Sequence, residues 1–127
     1  MTAVDVDGFA ELLGMEYAEV RPGYSRTTVP VTEQLTNPYG VLHGAAAYAM
    51  ADSGMGAAVF ADIDPDEQCA TIEIKISYLE SVTDGTLTCE TELVRRGRSV
   101  AFLESTITRD DEPVARATGS FSIFPRP

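Results

Sequence analysis

"NPYGVLHGAAAYAMADSG", residues 37–54, decides how this chain folds. It begins in a turn-forming Asn37-Pro38 and Gly40, passes the sole histidine, His43, and enters a run built almost wholly of alanine, glycine and methionine. Alanine and methionine are strong helix formers, and no proline interrupts the run. The pattern predicts one long helix from Leu42 or His43 to about Ala61. Within it stands a carboxylate, Asp52, among residues otherwise suited to burial.

The flanking sequence supplies what that helix packs against. "DVDGFAELLG" (5–14) reads as a short helix, with Asp5 or Asp7 at its start and Gly14 at its end. "MEYAEV" (15–20) and "YSRTTVPV" (24–31) read as strands around the turn "RPG", and residues 32–41 as a loop. Beyond the acidic loop "DIDPDEQ" (62–68) come four strand patterns, "CATIEIKISYL", "TLTCETELVRR", "SVAFLESTITR" and "PVARATGSFSIF", read as a meander. Alternation is cleanest in Ile72, Ile74, Ile76 and Tyr78, with Thr71, Glu73, Lys75 and Ser77 facing the other way. One helix against one antiparallel sheet is an α+β layer architecture. The helix's small side chains let a strongly curved sheet wrap closely around it, which is the hotdog arrangement. A single sheet of long strands leaves an edge to be covered, so a second copy is expected there.

Composition narrows the function. The 127 residues make one domain, and 44% hydrophobic with 23% charged residues is enough to build a core. Twenty acids against nine bases give a net charge of −11, which repels nucleic acid and anionic membrane alike. Lysine occurs once, at Lys75, so the surface resembles that of halophilic proteins and its self-repulsion goes unscreened in low salt. The first residues are acidic where a secretory leader is basic, and no apolar run reaches spanning length, so a soluble cytoplasmic protein is expected. Cys69 and Cys89 lack metal-ligand spacing. They read as buried thiols, with no metal and no cofactor.

Chemistry-bearing residues gather at the start of the predicted helix. A helix amino terminus presents unpaired N–H groups and partial positive charge, which favours a developing anion. Gly44 would leave that terminus open to a ligand carbonyl, making its N–H an oxyanion donor for acyl transfer. Each residue also has a plain reading: close packing for Gly44, a hydrogen-bonded helix start for His43, a turn for Asn37 and a solvated or packed helix position for Asp52. A triad of His43, Asp52 and Ser53 is disfavoured, because Ser53 lacks a nucleophile elbow and the spacing around the helix is wrong. Gly44 and Asp52 are eight residues apart, about 12 Å along a helix. Reacting groups must lie near 3 Å, so one substrate meets both only if Asp52 comes from a neighbouring copy.

These residues resemble the hotdog-fold thioesterase superfamily, in particular the phenylacetic-acid-pathway (PaaI-like) acyl-CoA thioesterases. The family's run of Asn, Gly, His-Gly-Gly and a helix bearing an acid corresponds to "NPYGVLHGAAAYAMADSG". "TIEIKISYLESVTDG" and "ELVRRGRSVAFLESTITRDDEPVARATGSF" resemble the strands that follow, so the likeness covers nearly all of residues 1–127 as a single hotdog thioesterase domain. It departs at Ala45, where the family has a second glycine, and at Gly56, where some relatives carry a hydroxyl.

The resemblance implies hydrolysis of an aryl- or fatty acyl-CoA thioester to free acid and CoA. It makes Asp52 the general base or nucleophile and the Gly44 N–H the group that polarises the carbonyl. His43 and Asn37 shape the loop, Asn37 orients water or thioester, and Thr71 supports Asp52 from the facing strand. It draws the turn Arg96, Gly97, Arg98 and Ser99 towards the CoA end. It also implies a homo-oligomer, at least a dimer and commonly a tetramer, with sites at the dimer interface. Tyr48, Met55 and Val59 are expected to line the pocket floor. Two rivals remain: a non-hydrolytic acyl-CoA binding or sensor domain, which has no need of a charge beside a thioester, and a hotdog hydratase, whose acid and histidine lie closer together than Asp52 and His43.

Overall fold

The computed structural model describes residues 7–127. In chain order these form α1 (Gly8–Leu13), β1 (Glu16–Arg21), β2 (Tyr24–Pro30), a 3-10 turn (Glu33–Leu35), α2 (Gly44–Phe60), β3 (Glu67–Tyr78), β4 (Thr86–Arg96), β5 (Val100–Arg109) and β6 (Glu112–Pro125). The expected elements are all present, although the loop at 32–41 contains that 3-10 turn. Asp7 caps α1, its carboxylate accepting from the Ala10 N–H, and Gly14 closes the helix in the left-handed region. The other cap considered, Asp5, lies outside the described residues.

The six strands form one antiparallel sheet in the order β1-β2-β4-β5-β6-β3, curled around α2. The expected four-strand meander is therefore wrong by one strand: only β4, β5 and β6 follow one another, and β3 lies beyond β6. The cause is the connection after β3. It is no tight hairpin but passes beneath the helix start, where Val82 is buried and its carbonyl accepts from the Leu42 N–H at 2.7 Å. Such a path carries the chain from one edge of the sheet back to its middle.

A second correction concerns the faces of β3. Thr71 pairs with Phe121 and Glu73 with Ser120, so Ile72 is an extra residue without a partner. This bulge shifts the alternation by one position. Thr71 thus joins Ile74 and Ile76 on the face towards the helix, and Ile72 is turned out at 56% exposure.

Helix α2 has apolar or small residues around its whole circumference, and such a helix must be covered on all sides. The sheet covers one side, burying Met50, Ala51, Met55, Ala58 and Val59 completely or nearly so. Contact is close because the facing positions are small. A Cβ on Gly54 would stand 3.0 Å from Thr91 Oγ1 and 3.2 Å from Ser25 Oγ. The Ser25 hydroxyl donates to the Gly54 carbonyl at 2.7 Å, fixing the turn that carries Asp52. On the other side a stripe at every fourth position is only partly covered: Gly44, Tyr48, Asp52, Gly56 and Phe60, with Tyr48 at 37% and Phe60 at 40% exposure.

Met55 marks the tightest part of this packing, filling the space over Gly119, where a Cβ would approach its Sδ to 2.5 Å. Replacing Met55 by alanine is expected to cost about 2–5 kcal/mol of stability, measured by urea unfolding, because the cavity cannot collapse onto a backbone already in contact.

Candidate active site

The loop before α2 is held by its own polar groups. Asn37 Oδ1 accepts from the Tyr39 N–H at 2.9 Å and the Val41 N–H at 3.4 Å. Its backbone N–H donates to the Val41 carbonyl and its carbonyl accepts from Gly40. Asn37 is therefore the residue around which the loop turns. His43 is the N-cap of α2: its Nδ1 accepts from the Ala45 N–H at 2.9 Å, which leaves the ring proton on Nε2. The Gly44 N–H, first on the helix, has no protein acceptor among the described residues. The helix dipole adds partial positive charge at the same place.

Tyr78 accounts for glycine at 44. Its hydroxyl donates to the Gly44 carbonyl at 2.7 Å, and a Cβ on Gly44 would stand 2.8 Å from the phenol Cζ. The side of Gly44 that looked open to a ligand is packed against this ring. Burial and the nearby Tyr48 raise the Tyr78 phenol above its ordinary pKa, so it stays a donor at neutral pH. The pattern alone could not point to Tyr78, because its meeting with Gly44 depends on β3 running beside α2 in the opposite direction.

Asp52 is half-buried on the partly covered stripe. Thr71 donates its hydroxyl to Asp52 Oδ1 at 2.7 Å. The contact forms because Thr71, paired with the inward-facing Phe121, faces the helix. The second carboxylate oxygen has no side-chain partner among the described residues. His43 and Asp52 occupy different turns of one helix, nine residues apart, about 13 Å. No triad with Ser53 is assembled.

Two cavities flank this stripe. One, of about 250 Å³, lies at the helix start between Gly44, Ala47, Tyr78, Val82 and Leu87. The other, of about 260 Å³, is bounded by Ser53, Gly56, Ala57, Phe60, Cys69, Tyr17 and Asp7. Neither is floored by the residues expected from the sequence: Met55 and Val59 are sealed in the core, and Tyr48 points outward. Tyr17 was not singled out in the sequence, because the strand pattern around it is short. Its hydroxyl donates to Asp7 Oδ2 at 2.6 Å. Burial first, then that hydrogen bond, raises its pKa far above the ordinary phenol value.

The basic turn lies at the opposite end of α2 from Gly44. Arg96 is fastened there, with Nε 3.3 Å from Asp62 Oδ2 and Nη2 3.5 Å from Glu67 Oε1. It ties the turn to the end of the helix and the start of β3. Gly97 is needed, since a Cβ would lie 2.7 Å from the Val100 carbonyl oxygen. Arg98 and Ser99 are exposed. The thiols are free: Cys69 is half-buried and Cys89 buried, with desolvation lifting the Cys89 pKa to about 11. No group of three or more metal-ligating side chains occurs among the described residues, and no helix there is long and apolar enough to cross a membrane.

Replacing Gly44 by alanine must displace Tyr78, and overpacking of this kind costs about 1–3 kcal/mol. In a Tyr78→Ala background most of that cost is expected to vanish, which a double-mutant cycle of unfolding free energies will read as a coupling energy.

The chain is similar to known proteins in sequence and in fold. The family model described as the thioesterase superfamily matches residues 39–115. A 1,4-dihydroxy-2-naphthoyl-CoA hydrolase of Listeria monocytogenes is 30% identical over 105 residues, 83% of this chain and 85% of its own. A conserved protein of Pseudomonas aeruginosa superposes with a TM-score of 0.91 at 29% identity, covering 97% of this chain and 100% of that one. A thioesterase of Staphylococcus aureus does so with a TM-score of 0.89 at 25% identity, covering 93% and 99%. It was solved in two substituted forms, one with a glutamate and one with a glutamine replaced by alanine, and those positions are fifteen residues apart. Asn37 and Asp52 are separated by the same interval. With more than half of its length matched and its curved sheet wrapped on a single long helix, this chain belongs to the thioesterase superfamily and has the hotdog fold.

Proposed function

We propose that the protein hydrolyses an aryl- or fatty acyl-CoA thioester to the free acid and CoA, at sites shared between two copies of the chain. The observation that carries this reading is the Asp52 carboxylate. It stands on the partly covered stripe of α2, with one oxygen held by Thr71 at 2.7 Å and the other available. A helix that is otherwise apolar bears that charge for chemistry. The acid and amide replaced in the Staphylococcus thioesterase, spaced as Asp52 and Asn37 are, support the same reading.

Two routes use the free oxygen. As a general base it takes a proton from water while the water oxygen attacks the thioester carbon. As a nucleophile it attacks directly and forms a mixed anhydride, which water then opens. In both, negative charge develops on the carbonyl oxygen, and the N–H of Gly44 of the partner subunit meets it at the helix terminus. The C–S bond breaks, CoA leaves as thiolate, and it takes up the proton that the reaction released. Asn37 and His43 hold the loop that presents the Gly44 N–H. The cavity bounded by Ser53, Gly56 and Phe60 receives the acyl group, and the exposed Arg98 and Ser99 meet the phosphate-bearing end of CoA, with Gly97 shaping the turn and Arg96 bracing it.

A second copy is supported by what the chain leaves bare. Among the described residues the edge strand β3 has no partner on its outer side, and Ile72 (56%), Tyr78 (54%) and, just past its end, Leu79 (53%) are exposed next to the open stripe of α2. An apolar surface continuous with an unpaired strand edge favours association.

Thiol release measured across a panel of aryl- and fatty acyl-CoAs tests the activity, with binding but no turnover of every member as the opposing result. Asp52→Ala is expected to lower kcat by about 10²- to 10⁴-fold with the unfolding midpoint retained; near wild-type turnover would assign Asp52 a structural role. The shared site is tested by mixing Asp52→Ala chains with Gly44→Pro/Tyr78→Ala chains, the second change making room for the ring. Hybrids restore one intact site each, so about a quarter of the wild-type rate is expected from an equal mixture, and no recovery counts against sharing.

A further inference from the structure

We infer that Ser25 is a positioning residue for Asp52: with the Gly23 N–H it sets the height and rotation of α2 on the sheet, and so the place of the carboxylate. The inference rests on the proposed thioesterase reading and deepens it. Helix α2 is small or apolar on nearly every side, and contacts of that kind have no direction. A slip of one residue would move each carbonyl about 1.5 Å along the axis and turn it by about 100°, with little apolar area lost. An acid that must meet its reaction partner near 3 Å cannot tolerate that slip.

Two donors at the entry to β2 oppose it. The Ser25 hydroxyl donates to the Gly54 carbonyl at 2.7 Å, and the Gly23 N–H donates to the Ala58 carbonyl at 3.1 Å. Two strand residues span about 6.6 Å and four helical residues about 6 Å, so this pair of donors matches carbonyls stacked one turn apart. Slips of one to three residues lose both bonds. A slip of a whole turn would bring Met50 or Ala58 to the place of Gly54, where a Cβ would stand 3.0 Å from Thr91 Oγ1 and 3.2 Å from Ser25 Oγ. Thr91 cannot easily give way, since its hydroxyl is tied to Ser105 Oγ at 2.6 Å. Residue 52 lies about 200° around the helix from residue 54, so holding Gly54 against the sheet turns Asp52 away from β2.

Ser25, Thr91 and Ser105 form one buried row across β2, β4 and β5. Stability alone does not account for hydroxyls here. Thr27 is fully buried nearby with Oγ1 unpaired among the described residues, and apolar groups of the same shape would hold the helix about as well. What the hydroxyls add is direction.

The test measures steady-state hydrolysis by the full chain, with the thioester turned over fastest in the acyl-CoA panel. Ser25→Ala leaves the Gly54 carbonyl its partner within the helix, so the fold is expected to persist in thermal unfolding. A displacement of about 1 Å costs up to about 100-fold in rate, so kcat is expected to fall about 10-fold or more while KM stays within about twofold. Ser25→Cys keeps the volume but donates weakly, and is expected to lose kcat likewise; Ser25→Thr keeps the hydroxyl and is expected to recover most of the rate. In an Asp52→Ala background, Ser25→Ala is expected to change the residual rate by less than about twofold, because its effect runs through the carboxylate. Wild-type kcat in both Ser25→Ala and Ser25→Cys, or the same fold-loss with and without Asp52, overturns the positioning role and leaves the thioesterase reading intact. No hydrolysis of any acyl-CoA by the unaltered protein overturns both.

Discussion

The structure depends on how closely a curved sheet can approach a helix that has no polar side. Because α2 is apolar or small all round, it is stable only when enclosed, and because Gly54, Gly119 and the alanines take up little room, the sheet can come within contact of its backbone. The Ser25 hydroxyl reaching the Gly54 carbonyl measures that closeness. Enclosure is nevertheless incomplete. A sheet of six strands wraps one side, and the stripe from Gly44 to Phe60 is left to the solvent or to another molecule. The proposed base and the proposed oxyanion donor both lie along that stripe.

Much of this was legible in the residues. Small side chains in an uninterrupted run mark a buried helix, and Asp52 stood out because charge and burial conflict there. The strands from Thr86 onward could be read almost to the residue, since turns such as Asp110-Asp111, both at positive φ, leave a strong local mark. Strand order was not legible. Local alternation says nothing about which neighbour a strand will find, and β3 pairs with β6 because a loop pinned at Val82 takes the chain across the helix start. The contacts of Tyr78 with Gly44 and of Tyr17 with Asp7 are not legible in the pattern either, since each joins separate elements of the fold.

The site also shows how one residue can serve two ends. The Asn37 side-chain oxygen holds the loop in place, beside any part its amide plays towards substrate. His43 caps the helix whose first N–H is the proposed oxyanion donor. The Arg96 guanidinium is spent on Asp62 and Glu67, and so works as a brace between helix and hairpin. In each case the backbone geometry that exposes a reactive group is maintained by a side chain that resembles a reactive group in the sequence.

The extra residue in β3 has a consequence for how such chains vary. A strand pattern counts residues, whereas a ladder counts pairs, and between Thr71 and Glu73 the two counts differ by one. Ile72, the most strand-like residue in that segment by type, is the one the ladder leaves out. A sequence one residue shorter there would present the same inward set, with its threonine still turned to the helix acid. The bulge is thus a point of slack, where chain length can change without moving the carboxylate's support. Aligning relatives residue by residue through this strand would misplace the threonine, while aligning them by ladder partner would keep it opposite Phe121.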